Sequence, residues 1–568
     1  MTLDMNWGDW MRIGVSGRWA RYLGAISLAL LAAVATAQPG DAEPFRTTLE
    51  QMLLAGEHPY VRAPDLGRDK EPLQQLYERH AWQPLWSENG TPTRPALAVL
   101  GVLRGAENYG LHSSDYEANL ILYHLVDLVT TPGAHPEHWA QFDLALSAAV
   151  LRFTKHLHYG RIDPKAAGFD IIVAADRIDR LEVLEEAATA TDSEAVFARI
   201  EPPYEHYQLL KAALPKFRLL ALETGLTDLP SFSGRSVKPG ETYLGAPQLR
   251  RLLVALGDLP VDSAAPATDL TLDPAVVNAL KQFQELHGLA PDGALGKETF
   301  RHLTMPLLHR VEQIELTLER WRWLPRLETP PIFVNIPQYR LFAFGTTQDR
   351  EADMLKLDVI VGKAYPKTRT PVFSEAMRYL VFRPYWDVPY SIATRELLPE
   401  IRANLSYLDK QNLEIVSGDG DDAKPVPPTG ENLAALASGL LRIRQRPGND
   451  NALGLVKFML PNEYNVYLHS TPAKGLFREA RRAFSHGCIR VSDPVALAEQ
   501  VLKNEPGDWT REKIEAAMNG TETLRVPLTR PIPVYILYGT AIASEAGNVF
   551  FFDDVYGHDA RLATLLGE

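Results

Sequence analysis

The segment NVYLHSTPAKGLFREARRAFSHGCIRV, residues 465–491, contains Cys488, the only cysteine in a chain of 568 residues. His469 lies 19 residues before this cysteine, and Gly487 directly precedes it. A thiol attacks efficiently only as its thiolate, so a nearby base or positive charge must favour its ionisation. The segment therefore combines a candidate nucleophile, a candidate base and a glycine that allows close backbone approach.

The residues around His469 alternate in character and predict a strand that ends there. Asn465, Tyr467 and His469 would share one face of this strand. Val466 and Leu468 would lie on the opposite face. This arrangement directs the imidazole towards polar neighbours and not into the core.

Positive charge is concentrated between the histidine and the cysteine. Residues 473–484 carry a net charge of +3, whereas the whole chain carries −13. On a helix, Arg478, Arg481 and Arg482 would lie together at spacings i, i+3 and i+4. Such a cluster would favour the thiolate and attract carboxylate-bearing substrates, although a solvated helix face is the alternative. The acidic total argues against a nucleic-acid partner.

Three interpretations of Cys488 remain open from the residues alone. Free cysteine is often buried as a small apolar residue. A zinc site would need three or four protein ligands, and only His469 and His486 accompany the thiol. A nucleophile beside Gly487, with backbone donors for an oxyanion, accounts for the glycine, the base and the charge together.

The N-terminus predicts export. Three arginines precede the thirteen-residue apolar run Tyr22–Val34, and a small-residue sequence ends at Ala37, so residues 1–37 are interpreted as a signal peptide. An uncleaved membrane anchor is the alternative, but a span needs about 20 residues. A single cysteine in an oxidising compartment cannot pair within its own chain, which favours a reactive thiol or an intermolecular bond.

Periodicity divides the exported chain into regions. Residues 45–235 follow a mostly helical pattern, and residues 245–305 form a small helical unit. Residues 310–545 contain repeated short strands, which predict a β-rich domain that is sandwich-like or barrel-like. Residues 395–455 interrupt that domain and are rich in Asp, Gly, Pro and Arg, which is consistent with an inserted lid. Residues 546–568 remain as a C-terminal segment.

The small helical unit has a well-defined sequence pattern. Asp273 is a predicted N-cap with Pro274 at the first helical position. An apolar stripe follows and ends at Gly288, and the turn Pro291–Gly293 leads into a second short helix.

At this point the sequence resembles a known family. Residues 465–491 are similar to the signature of the L,D-transpeptidases, cysteine enzymes that cross-link bacterial peptidoglycan. The small helical unit resembles a peptidoglycan-binding-like domain. Further matching segments are LYERHAWQPLW at 76–86, LERWRWLP at 318–325, FVNIPQYRL at 333–341, VIVGK at 359–363, TPVFS at 370–374 and PYWDVPYSIA at 384–393.

The resemblance implies a multidomain α+β protein of the large Gram-negative type. Its parts would be a helical scaffold, a small three-helix peptidoglycan-binding-like domain, and a β-rich, sandwich-like catalytic domain with an inserted lid. The expected location is the periplasm. No metal and no organic cofactor are expected.

The resemblance also implies roles for particular residues. Cys488 would be the nucleophile and His469 the general base, with the Ser470 carbonyl orienting the imidazole and the Gly487 and Cys488 N–H groups receiving an oxyanion. Arg490 is a candidate carboxylate clamp or a structural ion-pair partner. The residues expected to contact substrate are Arg490, Ser485, His486, Tyr467 and Trp386. His486 is not assigned a proton-transfer role.

The implied reaction is acyl transfer from a tetrapeptide stem of peptidoglycan to the diaminopimelate amine of a second stem, with release of D-Ala. An L,D-carboxypeptidase would use the same nucleophile with water as acceptor, and a non-catalytic wall-binding scaffold belongs to a different functional class. Expected partners are stem peptides, glycan and, as covalent inhibitors, carbapenem-type β-lactams. Membrane proximity is expected only if the signal segment is retained.

Overall fold

The computed structural model separates into two compact units. It describes residues 42–567 except 62, 132, 134, 173–177, 264–268, 348, 351, 419 and 421–422. The first unit comprises the described residues of 42–161 and 178–203, and the second comprises 162–172 and 204–567. The predicted signal segment, residues 1–37, lies outside the described residues.

The first unit is helical, as its sequence pattern predicts. The helices up to residue 198 are α1 Ala42–Ala55, α2 Ala63–Arg79, α3 Arg94–Arg104, α4 Ala118–Thr130, α5 Pro136–Tyr159, α6 Pro164–Ala167, α7 Arg180–Thr189 and α8 Ser193–Ala198; the four-residue α6 belongs to the second unit. The short strands β1 Ser87–Glu88 and β2 Thr91–Pro92 form a hairpin. Helix α5 is buried on almost every side and forms the centre of this unit.

A buried polar network fixes the centre of the first unit. The Asp143 carboxylate on α5 accepts hydrogen bonds from the Tyr77 hydroxyl at 2.8 Å and from the Trp86 backbone N–H at 2.9 Å. Burial raises the pKa of Asp143 to about 6. This network explains a polar residue in an otherwise apolar helix.

The predicted scaffold range of 45–235 includes residues of both compact units. Residues 204–235 belong to the second unit. The reason is the packing of α9 Glu205–Ala221, whose Tyr207, Leu210 and Phe217 lie in the core of the second unit.

The small helical domain of the second unit contains helices α10 Ala246–Leu256, α11 Pro274–Leu286 and α12 Lys297–Leu303. Strands β3 Ser236–Val237 and β4 Leu295–Gly296 pair beside them. Asp273 caps α11 as predicted, because its carboxylate accepts from the N–H groups of Ala275 and Val276, both at 2.9 Å. These elements surround an apolar core of their own.

The β-rich domain follows helix α13 Leu307–Arg322. Its strands are β5 Ile332–Asn335, β6 Arg340–Ala343, β7 Leu355–Gly362, β8 Phe373–Phe382, β13 Val456–Met459, β14 Leu468–His469, β15 Ala483–Ser485, β16 Ile489–Val491 and β17 Leu524–Leu537. Hydrogen-bonded pairing runs from β7 through β16, β14, β13, β8, β17 and β5 to β6, and β6 pairs with β7 again. Eight strands therefore form a closed ring, with β15 added to β7.

The closed ring agrees with the barrel-like alternative that the strand pattern leaves open, and it corrects the sandwich-like fold that the family resemblance implies. Strand β7 is eight residues long. Its first half pairs with β6, and Val359 and Ile360 in its second half pair with β16. Because one strand joins both ends of the sheet, the domain is a barrel-like ring and not two separate sheets.

The insertion is a compact subdomain. It contains β9 Trp386–Asp387, α14 Tyr390–Ile392, a π-helical turn Ala393–Leu397, α15 Leu398–Ala403, α16 Ser406–Lys410, β10 Leu413–Ser417, β11 Lys424–Val426, α17 Gly430–Ala437 and β12 Arg442–Gln445. The four strands pair in the order β11–β10–β12–β9 and enclose a separate apolar core. The subdomain thus begins at Trp386, nine residues before the predicted range of about 395–455.

The described residues of the predicted C-terminal segment, 546–568, pack onto the β-rich domain. After helices α18 Pro494–Leu502 and α19 Arg511–Asn519, strands β18 Ala541–Ala543 and β19 Val549–Phe551 form a hairpin, and helix α20 His558–Leu566 follows. Phe551, Tyr556 and Leu562 contribute to the same apolar cluster as the ring strands. Among the described helices, none is long and apolar enough to cross a bilayer.

Candidate active site

Strands β14 and β16 bring the histidine and the cysteine to one face of the ring. The two strands are parallel, with His469 paired to Arg490, and the Ile489 N–H donates to the Tyr467 carbonyl at 3.0 Å. Because side chains alternate along a strand, Tyr467, His469, Cys488 and Arg490 share one face. His469 and Cys488 are diagonal neighbours on adjacent strands, which are spaced about 4.8 Å apart.

The thiol is half-buried and not sealed in the core. Its Sγ lies 3.6 Å from the Asn465 carbonyl, and the Tyr467 hydroxyl forms a hydrogen bond with it. Burial raises the pKa of Cys488. Hydrogen bonds with the backbone and the side chain of Tyr467 act to lower it, as do the positive charges of Arg490 and Lys457. Burial has the larger effect, so the resting form is the thiol.

The imidazole of His469 is buried and held by backbone. Its Nδ1 lies 2.5 Å from the Ser470 carbonyl oxygen. A carbonyl can only accept, so Nδ1 carries the hydrogen and Nε2 keeps its lone pair. Burial first and the Arg490 charge second lower the pKa of His469 to about 3, despite the opposing carbonyls of Ser470 and Leu453. Histidine and cysteine are therefore both neutral at rest.

An aromatic side chain joins the two groups. The Tyr467 ring packs edge-on against the His469 ring at 5.8 Å between centroids, and Lys457 Nζ lies 5.9 Å from the Tyr467 ring centre. Burial and the adjacent Cys488 raise the pKa of Tyr467 well above its ordinary value, so the phenol remains a donor. Tyr467, which the sequence predicts only as a pocket wall, thus interacts with both His469 and Cys488.

The loop before the cysteine is held by its own hydrogen bonds. The Ser485 hydroxyl donates to the Cys488 carbonyl at 2.6 Å and accepts from the Gly487 N–H at 3.1 Å. Ser485 was predicted to contact substrate, but its buried hydroxyl is committed to the loop. Gly487 has φ of 124°, a conformation that disfavours any side chain.

These bonds also change the expected oxyanion donors. The Gly487 N–H is already engaged by Ser485, so it does not point freely at a substrate. The Cys488 N–H forms no hydrogen bond within the described part of the chain. Of the two predicted donors, only Cys488 is open.

A buried network behind the loop reaches the C-terminal residues. The Thr370 hydroxyl donates to the Gly487 carbonyl at 2.7 Å and accepts from the Gly362 N–H at 2.9 Å. The Tyr556 hydroxyl donates to the Gly362 carbonyl at 2.6 Å and accepts from the Thr370 N–H at 3.2 Å. Sequence reasoning missed Thr370 and Tyr556; the only signal was the TPVFS segment, which gave no role to its threonine.

Arg490 is partly buried, and burial lowers its pKa. Its Nε is buried without a hydrogen-bond partner, and no carboxylate of the described residues forms an ion pair with it. The described residues therefore offer no partner for the structural ion pair, and the carboxylate clamp stays a prediction. Lys457 on β13, which pairs with His469, is a second cation that the sequence analysis missed.

The inserted subdomain contacts the motif through His486. His486 Nε2 lies 3.1 Å from a carboxylate oxygen of Glu396, which is in the π-helical turn. Trp386, predicted as a pocket wall, packs with the core of the insertion. Its neighbour Asp387 is close enough for its charge to contribute to the raised pKa of Tyr467.

The basic segment does not form the helix described in the sequence analysis. Residues Lys474–Arg478 form a 3₁₀ turn, and the chain is then extended into β15. Arg482 pairs with Asp358 at 2.9 Å and donates to the Tyr339 carbonyl at 3.1 Å. These tertiary contacts override local helix preference, and the cations that act on the thiol are Arg490 and Lys457.

No group of three or more His, Cys, Asp or Glu side chains suited to a metal ion occurs among residues that the structure describes. For the described positions, the three ligands that a catalytic zinc site needs are not assembled around Cys488.

Three family models match segments of this chain. A family model described as "L,D-transpeptidase catalytic domain" matches residues 330–525, which include both His469 and Cys488. A "Scaffold domain" model matches residues 71–214, and a "Putative peptidoglycan binding domain" model matches residues 246–303.

A curated protein of Haemophilus influenzae named "Putative L,D-transpeptidase" is 32% identical over 283 residues. The aligned region covers 49% of this chain and 55% of the relative, so the chain spans about half the length of the curated relative that it matches. The scaffold, peptidoglycan-binding and catalytic domain models match in this order along the chain, and the chain belongs to the L,D-transpeptidase family.

Proposed function

We propose that the protein is a cysteine acyltransferase that cross-links peptidoglycan. It would transfer the acyl group of a tetrapeptide stem to the diaminopimelate amine of a second stem and release D-Ala. The observation that carries this proposal is the placement of Cys488 and His469 on one face of adjacent strands, with His469 Nδ1 held by the Ser470 carbonyl.

The first step begins from two neutral groups, because the pKa of Cys488 is raised and that of His469 is lowered by burial. His469 Nε2 accepts the thiol proton as Sγ attacks the carbonyl that precedes the terminal D-Ala. A carbon–sulfur bond forms, the carbon–nitrogen bond breaks, and the imidazolium returns its proton to the departing D-Ala amine. The Cys488 N–H receives the oxyanion, and such a donor typically contributes about 10²-fold or more.

The second step reverses these roles. The incoming amine loses a proton to His469 and attacks the thioester carbonyl, so that an amide forms and sulfur leaves. The sulfur then recovers its proton from the imidazolium. If water attacks in place of the amine, the product is a tripeptide stem and the enzyme is an L,D-carboxypeptidase.

Charge near the thiol supports recognition of an anionic substrate. Arg490 has an unpartnered Nε and Lys457 lies on the neighbouring strand, so a stem carboxylate would find two cations beside the sulfur. The inserted subdomain would act as a lid whose closed position is stabilised by Glu396 and His486. The small helical domain would hold glycan, and the periplasm is the proposed location.

The decisive experiment incubates purified protein with tetrapeptide stems and analyses products by mass spectrometry. We expect free D-Ala and a cross-linked dimer with the wild type, and neither with Cys488→Ala or His469→Ala. His309→Ala is a matched control, because this partly exposed histidine pairs with Glu312 outside the site. Free D-Ala with tripeptide alone would indicate hydrolysis, and no D-Ala from the wild type would leave a non-catalytic wall-binding role.

A second test uses a carbapenem, whose strained amide presents a carbonyl to the same sulfur. Intact-mass analysis should show one adduct on the wild type and none on Cys488→Ala. An equal adduct on both proteins would place the reaction elsewhere and contradict the proposed nucleophile.

A further inference from the structure

A cavity of about 360 Å³ lies within the second unit, away from the face that carries Cys488. Helix α9, the small helical domain and the β18–β19 hairpin form its walls. These walls are mainly apolar, and examples are Phe217, Leu252, Leu286, Met305 and Phe551. Its volume is in the range of small-molecule sites.

Asp258 is a buried carboxylate on the wall of this cavity. The residue is 7% exposed, and no described residue forms a hydrogen bond or an ion pair with its carboxylate. It directly follows Gly257, which ends α10 in the left-handed conformation with φ of 96°. The carbonyl end of α10 therefore adds partial negative charge beside the carboxylate.

Burial of this carboxylate is unfavourable for the fold. Burial raises the pKa of Asp258 to about 7, and the positive charge of Lys216 only partly opposes this. A buried ionised group normally has a partner that compensates for lost hydration. Since no described residue forms an ion pair with Asp258, a cationic group from outside the chain could act as its partner.

The position of Lys216 indicates which second charge the ligand would carry. This exposed lysine also lines the cavity, and its ammonium donates to the Leu256 carbonyl at 2.6 Å without pairing with Asp258. Its remaining two N–H donors can bind an anion. The site thus offers a buried anion and, nearer to solvent, a cation, with apolar walls beyond them.

We propose that this cavity binds a free α-amino acid as a zwitterion. The ligand ammonium would bind Asp258, its carboxylate would bind Lys216, and its side chain would contact the apolar walls. The proposal is independent of the chemistry at Cys488.

The test is calorimetric titration of the full chain carrying Cys488→Ala, which prevents turnover. The probes are D-alanine and D-leucine as zwitterions, n-propylamine as amine alone and propionate as acid alone. We expect the amino acids to bind at least tenfold more tightly than either single-charge probe, with D-leucine tighter than D-alanine. Equal binding of propionate and alanine, or no amino acid binding up to millimolar concentration, would overturn the proposal.

Variants in the same background locate the binding. Asp258→Asn should weaken amino acid binding at least tenfold, and Lys216→Met should weaken it several-fold. Glu223→Gln removes an exposed carboxylate at the end of α9 and should leave binding unchanged. Full affinity in Asp258→Asn would overturn the assignment.

A second measurement does not depend on the folding of these variants. Met305 lines the cavity, so its ¹³C-labelled methyl resonance, assigned with Met305→Leu, should shift on addition of D-alanine. An unchanged Met305 resonance at saturating D-alanine would place the binding elsewhere.

Discussion

Thr370 should couple the stability of the fold to catalysis, because its buried hydroxyl bonds two backbone groups near Cys488, the proposed nucleophile. Val has the shape of Thr without the hydroxyl, so Thr370→Val removes the bonds to the Gly487 carbonyl at 2.7 Å and the Gly362 N–H at 2.9 Å. Thr370 is fully buried, and water cannot replace these bonds without rearrangement.

The magnitude follows from the two groups left unpaired. A buried donor or acceptor without a partner costs about 1–3 kcal/mol, so the free energy of unfolding should fall by about 2–6 kcal/mol. The Gly487 carbonyl and the Cys488 N–H belong to one peptide plane. Release of the carbonyl therefore lets the proposed oxyanion donor turn, and kcat should fall by about 10²-fold, comparable to the loss of one donor.

The assay combines urea unfolding, followed by tryptophan fluorescence, with turnover of tetrapeptide stems. Thr370→Ser keeps the hydroxyl and should retain most of the activity. Thr368→Val is the matched control, because its hydroxyl makes only longer contacts of 3.3 and 3.2 Å to the Lys363 and Tyr365 carbonyls. A Thr370→Val enzyme that is destabilised yet keeps its kcat within twofold would refute the orienting role.

Three further perturbations test other parts of the site and the cavity. The rate of Cys488 alkylation by iodoacetamide, measured against pH, should give a thiol pKa above that of an ordinary cysteine. Arg490→Gln should raise this pKa further because it removes a cation, and a lower pKa in the variant than in the wild type would contradict the electrostatic assignment. The folded-state pKa of Asp258 is raised from 3.8 to about 7, so its contribution to the free energy of unfolding declines as pH rises through that interval. Asp258→Asn should therefore stabilise the protein at pH 8 by up to about 4 kcal/mol, and much less at pH 4, as measured by urea unfolding. Glu396→Gln should increase hydrogen exchange of the π-helical turn Ala393–Leu397, whereas Glu400→Gln at an exposed position should not; unchanged exchange in both would exclude the contact with His486 as a stabilising one.

The sequence alone predicts the parts of this protein that depend on local pattern. Alternation around His469 predicts a strand that includes Asn465, but the strand in the structure covers only Leu468–His469, and Asn465 has a φ of 54°. The Asp273–Pro274 pair predicts a helix start, which is present in the structure. The motif that contains Cys488 indicates the L,D-transpeptidase family, because the spacing of histidine, glycine and cysteine is contained in one continuous segment. Sequence pattern failed for residues 473–484, where contacts of Arg482 with the ring strands replace helical hydrogen bonds.

Only the tertiary structure decided the environment of the reacting groups. Thr370 lies 117 residues from Gly487, and Tyr556 lies 194 residues from Gly362, so no local pattern predicts their hydrogen bonds. The ionisation states were likewise inaccessible from sequence: the nearby charges favour a thiolate, but burial opposes it more strongly and leaves both Cys488 and His469 neutral at rest. Local pattern specifies the chemical groups, whereas their burial and distant hydrogen-bond partners depend on how the whole ring closes.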